Sequence, residues 1–408
     1  MVGNLLSFAS IMKSIGGILL AVVILLVMVT VHELGHYIAG KILRFKITEF
    51  SIGFGPALFK RRSKKTGELF AVRLVPLGGY CAFDGEDEFE EEKPEEPFAE
   101  MAEQPQKSEE TQKVEETTQM DGGRDEKKEE YPEPVGERFN DQAPWKRIIV
   151  LLAGVTMNYI LSLLLIIVMF AGFGRTVYRI QVEKPQEGQT QTFIAESGLQ
   201  TGDIVLSVDG EKPYLITDYV DILNGKDAGD TLTFTVLANG EKTERTVTLL
   251  EDAHFVNMSD TQTLLKALGI YGMYGESHRE GFFQTLGSSF VYSFKIGGTL
   301  LRSLGELLTG KIGLESMGGP VTTIKVTSEV ASASVQSFLN IFAFIGVNLA
   351  VFNLLPVPAL DGCKVIFCII EWIRKKPVNR KVEAIINLVG IVFLFGFAIL
   401  VDILQFLW

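Results

Sequence analysis

Residues 18–30 read ILLAVVILLVMVT and run without a charge into Val31-His32-Glu33-Leu34-Gly35-His36-Tyr37-Ile38-Ala39-Gly40. An apolar run of about 20 residues or more predicts a membrane-spanning helix. A cleaved leader fits poorly, because Lys13 is the only cation before the run and no small-residue cleavage site follows it. Each ionisable side chain inside a membrane costs about 2.5 kcal/mol or more, so three in five residues call for a function. On a helix, positions i and i+4 share a face, so the two imidazoles of His32 and His36 are placed to hold one Zn²⁺. Glu33 stands beside that position, where a carboxylate can take a proton from an attacking water.

Three further runs read as spans, from Trp145 to Gly174, Ser337 to Leu355 and Val382 to Leu407. The cations Lys41, Arg44, Lys46, Lys60, Arg61, Arg62, Lys64, Lys65, Lys146 and Arg147 cluster on the loop joining the first two. Arg374, Lys375, Lys376, Arg380 and Lys381 cluster between the last two. The positive-inside rule therefore predicts both loops in the cytoplasm and both termini outside. Spans one and three then run in the same direction, which brings their inner ends to one depth.

The acidic balance of the chain is local. Between Asp84 and Asp141 stand about 23 of the 50 acidic residues but about 7 of the 38 basic ones, leaving the remainder about +4 rather than −12. With few aromatics and no apolar period, 84–141 is expected to be a mainly disordered cytoplasmic insert. No basic face large enough to neutralise many phosphates is present, which excludes a nucleic-acid partner. Cys81, Cys363 and Cys368 lack the spacing of a disulfide framework or a metal knuckle.

Between the first spans, 47–54 and 69–75 are rich in β-branched and aromatic residues around a polar turn, predicting a membrane-associated β-hairpin over 45–83. Residues 177–250 predict a small soluble module, with a strand at 203–208, a helical stripe at 215–223, and two strands flanking Asn239-Gly240. Its order of turns, strand, helix and hairpin resembles a PDZ domain. Residues 281–310 are amphipathic without the unbroken apolar length of a span. The fold expected is a polytopic α-helical membrane protein. Its units are span one over 1–44, span two over 145–174, span three with its Asp-Gly motif over 335–376 and span four over 382–408. The PDZ-like α+β domain lies outside the membrane.

A catalytic zinc usually takes three protein ligands. His254 and His278 lie in the outer loop and read as surface residues. Asp361 is the isolated carboxylate in Asn353-Leu-Leu-Pro356-Val-Pro358-Ala-Leu-Asp361-Gly362, directly after span three and level with His32 and His36.

At these residues the chain resembles the site-2 protease family of intramembrane zinc metalloproteases, in its bacterial PDZ-containing branch. The resemblance also covers Gly53-Phe-Gly-Pro56, Pro76-Leu-Gly-Gly-Tyr80, Ala153-Gly154 with Asn158, and Gly318-Gly-Pro-Val321. It implies zinc on His32, His36 and Asp361, Glu33 as general base, and Asn353 and Asn158 as substrate-positioning residues. It also implies a lipid bilayer, single-span membrane-protein substrates such as anti-sigma factors or remnant signal peptides, and a bacterial inner-membrane location. Val155 and Cys363 depart from the residues the family often has, and neither is a ligand position. Two other readings compete: a membrane-anchored PDZ scaffold without catalysis, which would need neither the histidine motif nor Asp361, and an ion-coupled transporter with Glu33 and Asp361 on its path.

Overall fold

The computed structural model describes residues 8–86, 131–184, 193–314 and 317–407, so most of the acidic insert lies outside the described residues. Helix α1 (Phe8–Ile42) carries the histidine motif and ends where Arg44 takes a left-handed φ of 63°. Strands β1 (Ile47–Arg62) and β2 (Leu69–Phe83) follow. Helix α2 (Pro144–Phe173) begins with proline at its first turn, where the missing N–H costs nothing, and ends at Gly174 with φ 89°.

The β1–β2 sheet is more folded than a single hairpin. The turn joins residues 57–62 to 69–73, while 47–52 are held between 69–72 on one side and 79–83 on the other. Bends at Gly53 and Gly55, both at positive φ, let one strand serve both positions. The sheet therefore has two edges, 57–62 and 79–83. Phe54, Leu58, Phe59 and Leu74 are exposed on it, an apolar face suited to lipid.

Strands β3 (Arg175–Gln181), β4 (Ile204–Val208), β5 (Thr231–Ala238), β6 (Glu241–Thr248) and β7 (Gly272–His278) form one antiparallel sheet in the order β6-β5-β4-β3-β7. Helices α3 (Ile216–Leu223) and α4 (Thr261–Leu268) cover it around a core that includes Leu199, Tyr219, Leu232 and Phe234. The expected Asn239-Gly240 turn is present, with both residues at positive φ.

The rest is helical: α5 (Phe282–Leu308), α6 (Pro320–Ala331), α7 (Val335–Leu354), α8 (Asp361–Arg374) and α9 (Arg380–Leu407). Ile15–Ile42, Pro144–Phe173, Val335–Leu354 and Arg380–Leu407 are each long and apolar enough to cross a membrane. The amphipathic stretch forms one helix, α5, packed on α2 and α7. The 335–376 unit divides in two, because Pro356 and Pro358 end α7 and α8 starts afresh at Asp361.

Helix α2 touches α1, α5, α7 and α8. Small residues let the backbones approach: Gly35 lies on the Ala153 carbonyl, and Gly346 lies on Ser162 and Met28. Arg147, Glu371 and Arg380 tie α2, α8 and α9 together by ion pairs. Asp402 of α9 accepts from the Val321 N–H, 3.1 Å away, and so caps the start of α6.

The five-stranded module is fixed to the helices by side chains from both. Arg175 Nε donates to Glu280 at 3.0 Å, Lys295 Nζ to Asp218 at 2.8 Å, and Tyr214 Oη to Ser288 at 3.1 Å. Burial pushes the Glu280 carboxyl up, but the Ser288 hydroxyl and the cations Arg175 and Lys212 outweigh it and hold the group below the ordinary glutamate range. A depressed carboxylate contributes stability above its unfolded pKa and loses it as pH falls through the folded one. Acidification should therefore lower the melting temperature of the wild-type protein more steeply than that of Glu280→Gln. Parallel pH slopes in calorimetry would contradict this.

Candidate metal centre

Two turns of α1 and the start of α8 build the centre. His32, His36 and Asp361 each present one ligand atom, and the three atoms lie within 4.8 Å of one another. Asp361 Oδ2 stands 3.0 Å from His32 Nε2 and 3.4 Å from His36 Nε2, and the two Nε2 atoms are 3.1 Å apart. Both imidazoles are buried. Asp361 Oδ2 is buried too, at ion-pair distance from both rings but without hydrogen-bond geometry to either. Three converging lone-pair donors, two imidazole and one carboxylate, fit the donor set of a zinc site that leaves a fourth position open.

The second ring nitrogens fix the tautomers. His36 Nδ1 lies 2.8 Å from the Val150 carbonyl, which can only accept, so the proton sits on Nδ1 and the Nε2 lone pair faces the centre. His32 Nδ1 lies 3.3 Å from the amide of Asn158, a residue with no exposed surface. The Asn158 Oδ1 atom is buried without a partner. Turning the amide over puts that oxygen on His32 Nδ1–H, which satisfies the oxygen and frees the His32 Nε2 lone pair.

Gly154 lets α2 lie flat against both rings. A Cβ there would stand 2.5 Å from His36 Nε2 and 2.9 Å from His32 Cε1. The space belongs to the imidazoles. No helical periodicity marks Gly154 as part of the centre; in the sequence only the resemblance singles it out.

Glu33 sits on the same turn as the histidines, with its side chain 3.4 Å from a Cβ built at Gly79. Its carboxylate accepts from the backbone N–H of Cys81. The 79–83 edge of the sheet is thus beside the carboxylate. Glu68, just before β2, holds the sheet to α1 by accepting from Tyr37 Oη at 3.0 Å and Lys41 Nζ at 2.5 Å. Sequence reasoning missed this latch, because no local pattern distinguishes Glu68 from a surface glutamate.

The structure thus brings His32, His36, Asp361 and Asn158 together and sets Glu33 alongside. Asn353 is half-buried at the end of α7, eight residues before Asp361. His254 is exposed near Asp227 in the module, and His278 ends β7, both outside the cluster.

Gly154→Ala should abolish stoichiometric metal binding while leaving helix content unchanged, since its methyl group displaces imidazoles rather than backbone. Metal analysis beside far-ultraviolet circular dichroism checks this; retention of one ion per chain would contradict it.

Comparison with known proteins places the chain in a family. The model of peptidase family M50 matches residues 20–397. The chain is 28% identical to the regulator of sigma-W protease RasP of Bacillus subtilis (strain 168), over 89% of this chain and 92% of that protein. It is 29% identical to the zinc metalloprotease RasP of Bacillus licheniformis, over 89% and 92%. To the zinc metalloprotease RasP of Geobacillus kaustophilus it is 27% identical, over 93% and 94%. With a family match across nearly its whole length and four helices able to span a membrane, the chain belongs to peptidase family M50, the site-2 proteases, and is a multi-pass membrane zinc metalloprotease.

Proposed function

We propose that this protease hydrolyses peptide bonds inside the transmembrane segments of other membrane proteins, with His32, His36 and Asp361 as zinc ligands and Glu33 as general base. The observation that carries the reading is the meeting of two buried imidazoles, on a helix able to span a membrane, with one buried carboxylate oxygen at the start of α8. Bound zinc supplies a Lewis acid that polarises the scissile carbonyl and makes water a nucleophile near neutral pH.

The chain's own residues do the rest. A helical peptide bond is shielded by its own hydrogen bonds, so a substrate segment must unwind before attack. Unwound backbone at membrane depth needs partners for each freed N–H and C=O. The 79–83 edge offers them by strand addition, next to Glu33. Glu33 takes a proton from the attacking water as oxygen bonds to the carbonyl carbon. It then delivers that proton to the amide nitrogen as the C–N bond breaks.

Asn158 is buried behind His32 and is assigned to orienting that ring; Asn353, on the half-buried end of α7, is assigned to the substrate. The cation clusters favour a cytoplasmic face for the insert and the centre, with the five-stranded module outside. The module's strand order and Asn239-Gly240 hairpin support the PDZ-like reading. A folded module outside the bundle favours substrates already trimmed of large external domains. The name of the Bacillus subtilis relative ties that protein to sigma-W, and a membrane-bound regulator of a sigma factor is the matching substrate class here.

Glu33→Gln should retain zinc and lose about 10²–10⁴-fold in turnover on a purified single-span substrate, because an amide cannot accept the proton. Near-normal turnover would overturn the mechanism. Loss of an outer-shell partner typically costs about 10–100-fold in metal affinity, so Asn158→Ala should weaken zinc binding by that order. Asn353→Ala should keep zinc affinity and raise KM. The reverse pattern in a competition titration with a chelator would exchange the two roles.

A further inference from the structure

The end of β1 and the turn that follows it carry Lys60, Arg61, Arg62, Lys64 and Lys65, five cations in six residues. All five are exposed. Lys60, Arg61, Arg62 and Lys65 form no ion pair among the described residues. Like charges so close repel one another at low ionic strength, and such a cluster favours an anionic partner. Neither the metal centre nor the proposed cleavage uses it.

The partner that the observations favour is in the same chain. Residues 87–130 lie outside the described residues and carry 18 acidic and 6 basic side chains. The structure shows where this stretch leaves and returns. It leaves after Glu86, which pairs with Lys364 of α8 at 2.7 Å. It returns at Tyr131-Pro132, directly against the basic turn: Gly67, at φ 73°, has no room for a Cβ because the Pro132 carbonyl would stand 1.8 Å from it. The acidic stretch is therefore joined in sequence, through Tyr131, to a residue that the structure places against the turn. Tethering of this kind gives effective concentrations of the order of millimolar, so weak ion pairs suffice for occupancy.

We propose that the basic turn Lys60–Lys65 is the docking surface of the acidic insert 87–130 of its own chain. The contact neutralises the end of the sheet whose 79–83 edge lies beside Glu33. The competing occupant is an anionic lipid surface, which could attract the same cations. The insert is favoured because its net charge is local and tethered two residues from a contact the structure already makes.

The test uses the full-length protein in nanodiscs of phosphatidylcholine alone, with a water-soluble carbodiimide that joins amines to carboxylates in direct contact. Peptide mapping should find links from Lys60 and Lys65 to acidic residues between Asp87 and Glu116, beyond those held close by the tether. Raising salt from about 0.01 M to about 1 M shortens the Debye length from about 30 Å to about 3 Å and should remove them. Arg61→Gln with Arg62→Gln leaves every amine in place and should reduce the links several-fold. With a third of the lipid replaced by phosphatidylglycerol, the links should persist. Absence of these links at low salt, insensitivity to the double substitution, or their loss on adding phosphatidylglycerol would each overturn the proposal, the last in favour of the lipid surface.

Discussion

The crossing of α1 over α2 is the contact on which the rest of the structure depends. Gly35 meets the backbone of Ala153 and Gly154, and Gly154 in turn meets both imidazoles. No side chain intervenes, so the two helices approach closely enough for Val150 and Asn158 of α2 to reach the outer nitrogens of His36 and His32. In hydrocarbon there is no water to satisfy those nitrogens, and each would otherwise be a buried unpaired polar group. Close backbone approach thus makes two ionisable rings tolerable within a membrane helix and turns their Nε2 lone pairs toward Asp361.

Asp361 depends on a second constraint. Pro356 and Pro358 stop α7, and the chain restarts as α8 with Asp361 at its first position. Gly362 lies against the Leu354 and Leu355 carbonyls, where a Cβ would stand within 2.5 Å of each. A tight break therefore fixes the carboxylate, while Arg147, Glu371 and Arg380 hold the far end of α8 to α2 and α9. The centre is framed by α1, α2 and α8, and the β1–β2 sheet is held beside it through the Glu68 latch to Tyr37 and Lys41.

Much of this was legible in the sequence, for identifiable reasons. Uninterrupted apolar length marks spans whatever their packing, so all four were readable. The i, i+4 histidines share a face by helix geometry alone, and Asp361 stood out as a lone carboxylate after an apolar run. What was not legible depends on contacts between segments distant in the chain. The double use of 47–52 in the β1–β2 sheet requires the bends at Gly53 and Gly55, which a two-strand pattern does not predict. Glu68 resembles any turn glutamate until Tyr37 and Lys41 face it. The contact of the Asn158 amide with His32 joins residues 126 positions apart, which no local pattern predicts.

The central claim is that two imidazoles and one carboxylate hold the zinc of this protease. X-ray absorption at the zinc edge of the purified, zinc-loaded protein tests it most directly. The account predicts two imidazole nitrogens at about 2.0–2.1 Å, with the remaining scatterers oxygen at about 2.0–2.2 Å. A sulfur scatterer at about 2.3 Å would place a cysteine in the coordination sphere, and a single imidazole would remove His32 or His36 from it; either result would contradict the account.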